Sequence, residues 1–135
     1  MAKVERVTEY WVKIPKRIGS LAKVLNTLAE EGVNGRAYVA WEEKNKGVLL
    51  FVPNDAAKAT RALRKAKPKV RVVKQRVLAV TLKNRRGAGK KIAQALADAE
   101  INITGSYASA IGGGNYLTII NTDNNNAAAR VLKDL

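Results

Sequence analysis

Residues 13–25 read Lys-Ile-Pro-Lys-Arg-Ile-Gly-Ser-Leu-Ala-Lys-Val-Leu, and residues 81–93 read Thr-Leu-Lys-Asn-Arg-Arg-Gly-Ala-Gly-Lys-Lys-Ile-Ala. The two stretches align without a gap at an offset of 68 residues. The alignment continues on both sides, and its identities pair Gly19 with Gly87, Leu28 with Leu96, Asn34 with Asn102, Leu49 with Leu117, Asp55 with Asp123 and Ala59 with Ala127. We therefore interpret the chain as two copies of one unit, with domains at 1–73 and 74–135.

Each copy opens with a strand and continues with a helix. Tyr10, Val12 and Ile14 stand at every second position, as do their equivalents in the second copy, and this period of two is typical of a strand with one buried face. A glycine turn follows, after which apolar residues recur with a period near 3.6 over 21–28 and 92–97. The pattern predicts a strand, a tight turn and an amphipathic helix in each copy.

The second half of each copy predicts a hairpin and another helix. Predicted strands at 35–43 and 48–52 flank a short polar turn, and predicted strands at 103–111 and 116–121 flank three successive glycines. Asp55 and Asp123 stand where a short carboxylate can cap the helix that follows. The fold class predicted is α+β: two ferredoxin-like βαββα(β) repeats, each an antiparallel sheet with its helices on one face.

The second copy lacks its own fourth strand. Residues 70–73 supply that strand in the first copy, but the equivalent of Val70 would fall at position 138 of a chain of 135 residues. Three arrangements remain open: a sheet of three strands, an edge filled by another segment of the chain, or an edge filled by another chain. Because an open edge pairs readily with other backbones, this favours a homodimer.

The composition excludes several classes of function. The chain has no Cys and no His, which removes thiolate metal sites and the most common general base at pH 7. No base and nucleophile stand in a recognisable arrangement, so we expect no enzyme, no catalytic residues, no metal site and no cofactor. The chain opens with no signal sequence and holds no membrane-length apolar run, so we expect a cytoplasmic protein without a membrane partner.

The positive charge is concentrated in the middle of the chain. The formal net charge is +14, and the stretch between Ala56 and Ala97 holds fourteen basic residues and no acidic one. Such a field attracts anions without identifying them, and part of it can serve solubility alone.

The residues at the repeated turn resemble a known family, the ACT domain. In that family a strand, a glycine turn, an amphipathic helix and a terminal Val-Asn follow one another, as they do in residues 13–25 and 30–34. The second copy, at 82–89 and 99–103, is similar but looser, since Gly89 replaces Leu21 and Arg86 replaces Ile18. The resemblance covers nearly the whole chain and implies a stand-alone tandem ACT protein.

The resemblance implies a regulatory module that binds an amino acid or a similar small, anionic metabolite where ACT domains meet. Its ligands contact the glycine turn and the start of the second strand. Carried over by position, this implies the ligand-binding residues Gly19, Ser20, Leu21, Asn34, Gly87, Ala88, Gly89 and Asn102. Glycine permits close approach to the backbone, and a helix N-terminus favours an anion. The alternatives are that the glycines only make tight turns and that the two Asn side chains only end helices.

Five cations crowd the second glycine turn and form a candidate anion or phosphate patch: Lys83, Arg85, Arg86, Lys90 and Lys91. The turn is not a Walker A loop, because the leading Gly and the Ser or Thr after the Lys are both missing. The cations therefore point to an anionic ligand without a nucleotide motif.

Nucleic acid is the alternative partner, because RNA recognition motifs share the βαββαβ order and the 58–91 Lys/Arg stretch suits a phosphate backbone. Those motifs need exposed aromatic residues on the third strand. Here that strand offers Phe51, which is in phase with Leu49 and expected to be buried, and in the second copy only Tyr116. The pattern favours small-molecule binding over sequence-specific RNA recognition.

Overall fold

The computed structural model describes residues 2–135. They form ten elements, with bounds β1 (Lys3–Pro15), α1 (Ser20–Glu30), β2 (Gly35–Glu43), β3 (Lys46–Pro53), α2 (Ala56–Lys65), β4 (Arg71–Lys83), α3 (Ala88–Asp98), β5 (Ile103–Gly112), β6 (Asn115–Thr122) and α4 (Asn125–Leu132). The predicted order of strands and helices is confirmed, except that the last strand of the first copy and the first strand of the second copy form one continuous strand, β4. Within residues 2–135, no helix has both the length and the apolar character needed to cross a bilayer.

The chain forms two compact units. The first unit is Thr8–Gln75, and the second unit is Arg76–Leu135 together with the chain up to Val7. The repeat offset predicts that the residues before Thr8 belong to the domain at 1–73, whereas the structure groups them with the second unit. In the first unit the strand order is β2-β3-β1-β4, and in the second unit it is β1-β4-β6-β5. The ladders that β3 makes with β1 and β2, and those that β6 makes with β4 and β5, are antiparallel, as predicted.

The core of the first unit lies between one face of its sheet and the inner stripes of α1 and α2. Its buried side chains are Tyr10, Val12, Ile14, Val24, Leu28, Val33, Leu49, Phe51, Ala59, Ala62 and Leu63. Tyr10 joins the sheet to α2, because its hydroxyl donates to the Ala56 carbonyl and lies 2.7 Å from the Thr60 hydroxyl. A buried phenol is thus satisfied at the centre of the apolar cluster.

The core of the second unit includes residues from the start of the chain. Its buried side chains are Ala2, Leu78, Val80, Ile92, Leu96, Ile101, Ile120, Ala128 and Leu132, and Val4 packs against them. The Ala2 N–H donates to the Leu135 carbonyl at 2.8 Å. Of the three arrangements that the sequence left open for the missing strand, the structure shows the second: residues 3–7 of β1 lie beside β4 within this unit.

The two hairpins differ by one residue. Tyr10 lies opposite Phe51 in the first unit, whereas Leu78 lies opposite Ile120 in the second. The gapless repeat equates Phe51 with Ile119, so the second hairpin contains an extra residue. The three glycines at its tip, 112–114, have φ values of 87°, 61° and 71°, a conformation that glycine adopts without steric cost. Beyond this hairpin the two copies are related by an offset of 69 residues.

The prediction that Asp123 caps the last helix is wrong for this reason. Asn124 occupies that position, and its side chain accepts the Ala127 N–H at 3.0 Å. Asp123 instead accepts the Asn102 N–H at 3.1 Å. The equivalent prediction for Asp55 is confirmed, since its side chain accepts an amide of the first turn of α2 at 3.1 Å.

The extra residue also places a polar side chain in the second core. Thr118, and not Leu117, takes the place of the fully buried Leu49 and lies opposite Val80, on the face that packs against the helices. Thr118 is 5% exposed, and its buried hydroxyl has no hydrogen-bond partner within the described residues. A buried hydroxyl without a partner destabilises the folded state.

We predict that Thr118→Val raises the free energy of unfolding by about 1 kcal/mol, because valine keeps the shape and removes the uncompensated hydroxyl. Urea denaturation of the whole chain measures the change. Thr122→Val is the matched control, since the Thr122 hydroxyl donates to Asn125 at 2.8 Å and accepts the Asn124 N–H at 3.1 Å. The control is expected to lower stability by about 1 to 2 kcal/mol. A similar loss in both variants would mean that Thr118 has a partner.

Candidate functional site

The same backbone turn precedes the first helix of each copy. Gly19 has φ 85° and ψ −2°, and Gly87 has φ 85° and ψ 9°. This left-handed conformation is costly for a residue with a Cβ atom, which explains why both copies carry glycine here. The turn lets a helix begin at the next residue, close to the end of the strand.

Neither of these helices has a side-chain cap, because the residue at the N-cap is glycine. The turns are closed by backbone bonds instead: the Ser20 N–H donates to Arg17 at 3.1 Å, and the Ala88 N–H donates to Arg85 at 3.0 Å. Helix geometry leaves the next amides of the first turn without an intrahelical acceptor. Each turn therefore presents backbone donors and the positive end of a helix dipole.

A cavity of about 450 Å³ lies at this turn in the first unit. It is lined by Ile14, Pro15, Lys16, Arg17, Ile18, Ser20, Leu21, Ala40, Trp41, Glu42, Gly47 and Val48. Most of this lining is apolar, and the charged residues include Lys16 and Glu42, whose side chains form an ion pair at 3.1 Å. Two of the predicted ligand-binding residues, Ser20 and Leu21, are in this lining.

A cavity of about 470 Å³ lies at the equivalent turn of the second unit. It is lined by Leu82, Lys83, Arg85, Arg86, Gly87, Ala88, Lys91 and Leu135. Four cations and no acidic side chain line it, so its electrostatics favour an anion. The predicted Gly87 and Ala88 are in the lining, as are all members of the anion patch except Lys90.

The two cavities differ at two neighbouring positions, one on the helix and one on the strand. In the first unit the helix position holds the large side chain and the strand position is glycine, and in the second unit this is reversed. Leu21 and Gly47 of the first unit correspond to Gly89 and Tyr116 of the second, once the extra hairpin residue is counted. The Tyr116 hydroxyl lies 3.2 Å from where a Cβ atom of Gly89 would stand. Tyr116 thus fills, beside α3, the space that Gly47 leaves open beside α1.

The remaining predicted site residues lie outside both linings: Gly19, Asn34, Gly89, Lys90 and Asn102. Asn34 stands after α1, where its N–H donates to the Asn54 side chain at 2.9 Å and its carbonyl accepts the Asn54 N–H at 2.8 Å. Asn102 makes the equivalent pair of bonds with Asp123 at 3.1 and 3.0 Å. Each Asn is separated from the glycine turn of its own unit by the full length of a helix, about 16 Å.

The basic residues of α2 form a separate surface in the first unit. Lys58, Arg61, Arg64 and Lys65 are all exposed, and Lys65 pairs with Glu31 at 3.0 Å. Phe51 is buried, as predicted, and its ring centroid lies 5.5 Å from that of Tyr10 within the core. The third strand of this unit therefore offers no aromatic face for stacking on a base. The described residues contain no cluster of acidic side chains able to hold a metal ion.

Comparison with known proteins identifies the fold. A family model described as an ACT domain pair matches residues 6–134. Protein BT0572 from Bacteroides thetaiotaomicron is similar in structure, with a TM-score of 0.86 and 24% identity over 97% of this chain and 89% of that one. Comparison with curated protein sequences gives no match.

Aspartate kinases share the fold at lower identity. The ligand-free regulatory subunit from Thermus thermophilus has a TM-score of 0.70 and 18% identity over 98% of this chain and 95% of that one. E. coli aspartokinase III in complex with lysine and aspartate has a TM-score of 0.58 and 16% identity over 98% of this chain and 31% of that one. The resemblance inferred from the repeated turn is confirmed: the chain belongs to the ACT domain pair family.

Proposed function

We propose that this chain is a non-catalytic regulatory module that binds an amino acid or a similar small, anionic metabolite at its two glycine turns. The observation that carries the proposal is that a cavity of about 450 Å³ and one of about 470 Å³ lie at equivalent turns of the two copies. Cavities of this size suit small molecules, and both lie where uncapped helix amides can meet an anionic group.

The second cavity supports the anionic part of the proposal. Its cations include Arg85 and Arg86, which flank the turn and can donate paired hydrogen bonds to a carboxylate or a phosphate. Lys83 and Lys91 add positive charge, and no acidic side chain lines the cavity to compete with an anionic ligand. Phosphates and carboxylates are therefore the ligands to test first at this turn.

The similar structures support amino acids as candidates and regulation as the role. The Thermus protein is described as a regulatory subunit of aspartate kinase, and the E. coli enzyme was crystallised with lysine and aspartate. A module of this kind acts when its ligand binds one conformation or assembly better than another and so shifts their populations. We propose that the assembly is a homodimer, and that Asn34 and Asn102 of one protomer complete ligand sites of its partner.

Nucleic-acid binding is the second candidate, favoured by the exposed cations of α2. Lys58, Arg61 and Arg64 stand on one short helix and can follow a phosphate backbone without reading bases. Such binding weakens steeply as salt is added, whereas a small ligand held partly by backbone amides depends less on salt. Salt dependence therefore separates the two candidates.

We predict that at least one compound among the twenty amino acids, phosphate, pyrophosphate and citrate raises the melting temperature of the whole chain. For an anion bound in the second cavity, Arg85→Gln with Arg86→Gln is expected to weaken the affinity by about tenfold or more, because charge-assisted hydrogen bonds are lost. Melting curves over a range of ligand concentrations give the affinity.

Arg61→Gln with Arg64→Gln is the matched control, since it removes the same charge from α2. This control is expected to leave the ligand-induced shift unchanged. The proposed function would be contradicted if no compound in the panel shifts the melting temperature. Binding of an RNA homopolymer with a steep dependence on salt would then support the second candidate.

A further inference from the structure

The cavity of the first unit is lined by several exposed apolar side chains. Seven large hydrophobic side chains are exposed among the described residues, and three of them line this cavity: Ile18 at 106%, Leu21 at 36% and Trp41 at 36%. Clustered exposed apolar groups mark a place where another apolar group binds, whereas single ones do not. No such cluster lines the second cavity, where the residue equivalent to Ile18 is Arg86.

Gly47 provides the room for an apolar group in the first unit. It lies opposite Ile14 in the sheet, and a Cβ atom placed there would have only ordinary contacts, the nearest at 3.7 Å from the Ile14 carbonyl. At the equivalent place in the second unit stands Tyr116, packed against Gly89 and the second core. The space beside α1 is therefore open in the first unit, whereas Tyr116 fills the equivalent space beside α3 in the second unit.

Charges of both signs line the first cavity. Lys16 and Arg17 can meet a carboxylate, and Glu42, which pairs with Lys16 at 3.1 Å, can meet an ammonium group. The charged side chains that line the second cavity are all cationic. A molecule that carries both a carboxylate and an ammonium group fits the first lining, whereas the second lining offers an ammonium group no acidic side chain.

We infer that the first unit binds an α-amino acid with an aliphatic side chain, one molecule per chain, and that the second unit does not bind this class because Tyr116 fills the space. The aliphatic group contacts Leu21 and Ile14 over Gly47, and the polar head lies at Lys16, Arg17 and Glu42. This inference rests on the proposed function and adds to it the class of ligand and the number of sites.

Isothermal titration of the whole chain with L-alanine, L-2-aminobutyrate, L-norvaline and L-norleucine tests the inference. Each added methylene that is buried is expected to tighten binding by about fourfold, with a stoichiometry of one. Hexanoate has the same chain length as norleucine but no ammonium group, and we expect it to bind more weakly. Glu42→Gln is expected to remove that difference between norleucine and hexanoate.

Gly47→Tyr places a tyrosine in the first unit at the position where Tyr116 fills the space in the second unit. We expect this variant to lower the affinity for norleucine by about tenfold or more. Gly105→Tyr is the matched control, because a Cβ atom at Gly105 has no neighbour within 4 Å and Gly105 lies in the other unit. Leu21→Asn is a second variant, and the Leu21 side chain is exposed enough for the fold to be retained. Circular dichroism checks that all three variants are folded.

Affinity that does not rise along the series, or that survives both Gly47→Tyr and Leu21→Asn, would overturn the inference and leave the proposed function in place if other compounds bind. A stoichiometry of two would overturn the claim that Tyr116 closes the second space. Failure of every amino acid and every anion to bind would overturn both the inference and the proposed function.

Discussion

The left-handed backbone at Gly19 and Gly87 is the constraint on which both candidate sites depend. With φ at 85°, the chain leaves the first strand of each copy and begins a helix at the next residue. A residue with a Cβ atom would have to open this turn or accept strain, and the helix would then start elsewhere. The turn brings the first-turn amides, the end of the strand and the preceding basic residues to one place, and a cavity lies there in each unit.

The second constraint is that residues at or beyond the border of each repeat complete the core of each unit. Residues 3–7 pack with the second unit, where Ala2 and Val4 contribute to the core. In the first unit, Val70 packs against the core just before β4.

Hydrophobic periodicity was sufficient to predict the elements, because burial of one face decides the order of strands and helices. The stripe from Leu21 to Leu28 predicts α1, which the structure shows over Ser20–Glu30. The extra residue, which lies where the register shifts between Ala110 and Gly112, could not be predicted, because Asp123 and Ala127 match Asp55 and Ala59 in type. Burial decides the alignment instead: Ala128, like Ala59, is fully buried.

Only part of the candidate site could be predicted, because some of its residues lie far apart in the sequence. Glycines and cations near a helix start are visible in the sequence, and Ser20, Leu21, Gly87 and Ala88 line the cavities as expected. Gly47 and Tyr116 come from a strand far along the chain, and their equivalence is hidden until the register is known. The difference between the two cavities therefore comes from packing across the sheet, which no local motif records.

The most direct test of this account is amide chemical-shift mapping by NMR, with norleucine and pyrophosphate added singly and together. We expect two separate sets of shifted amides, one around Leu21 and Gly47 for norleucine and one around Gly87 and Lys91 for pyrophosphate. We also expect the changes to add when both compounds are present. Shifts of the same set of amides by both compounds, or displacement of one compound by the other, would contradict the account of two sites with different chemistry.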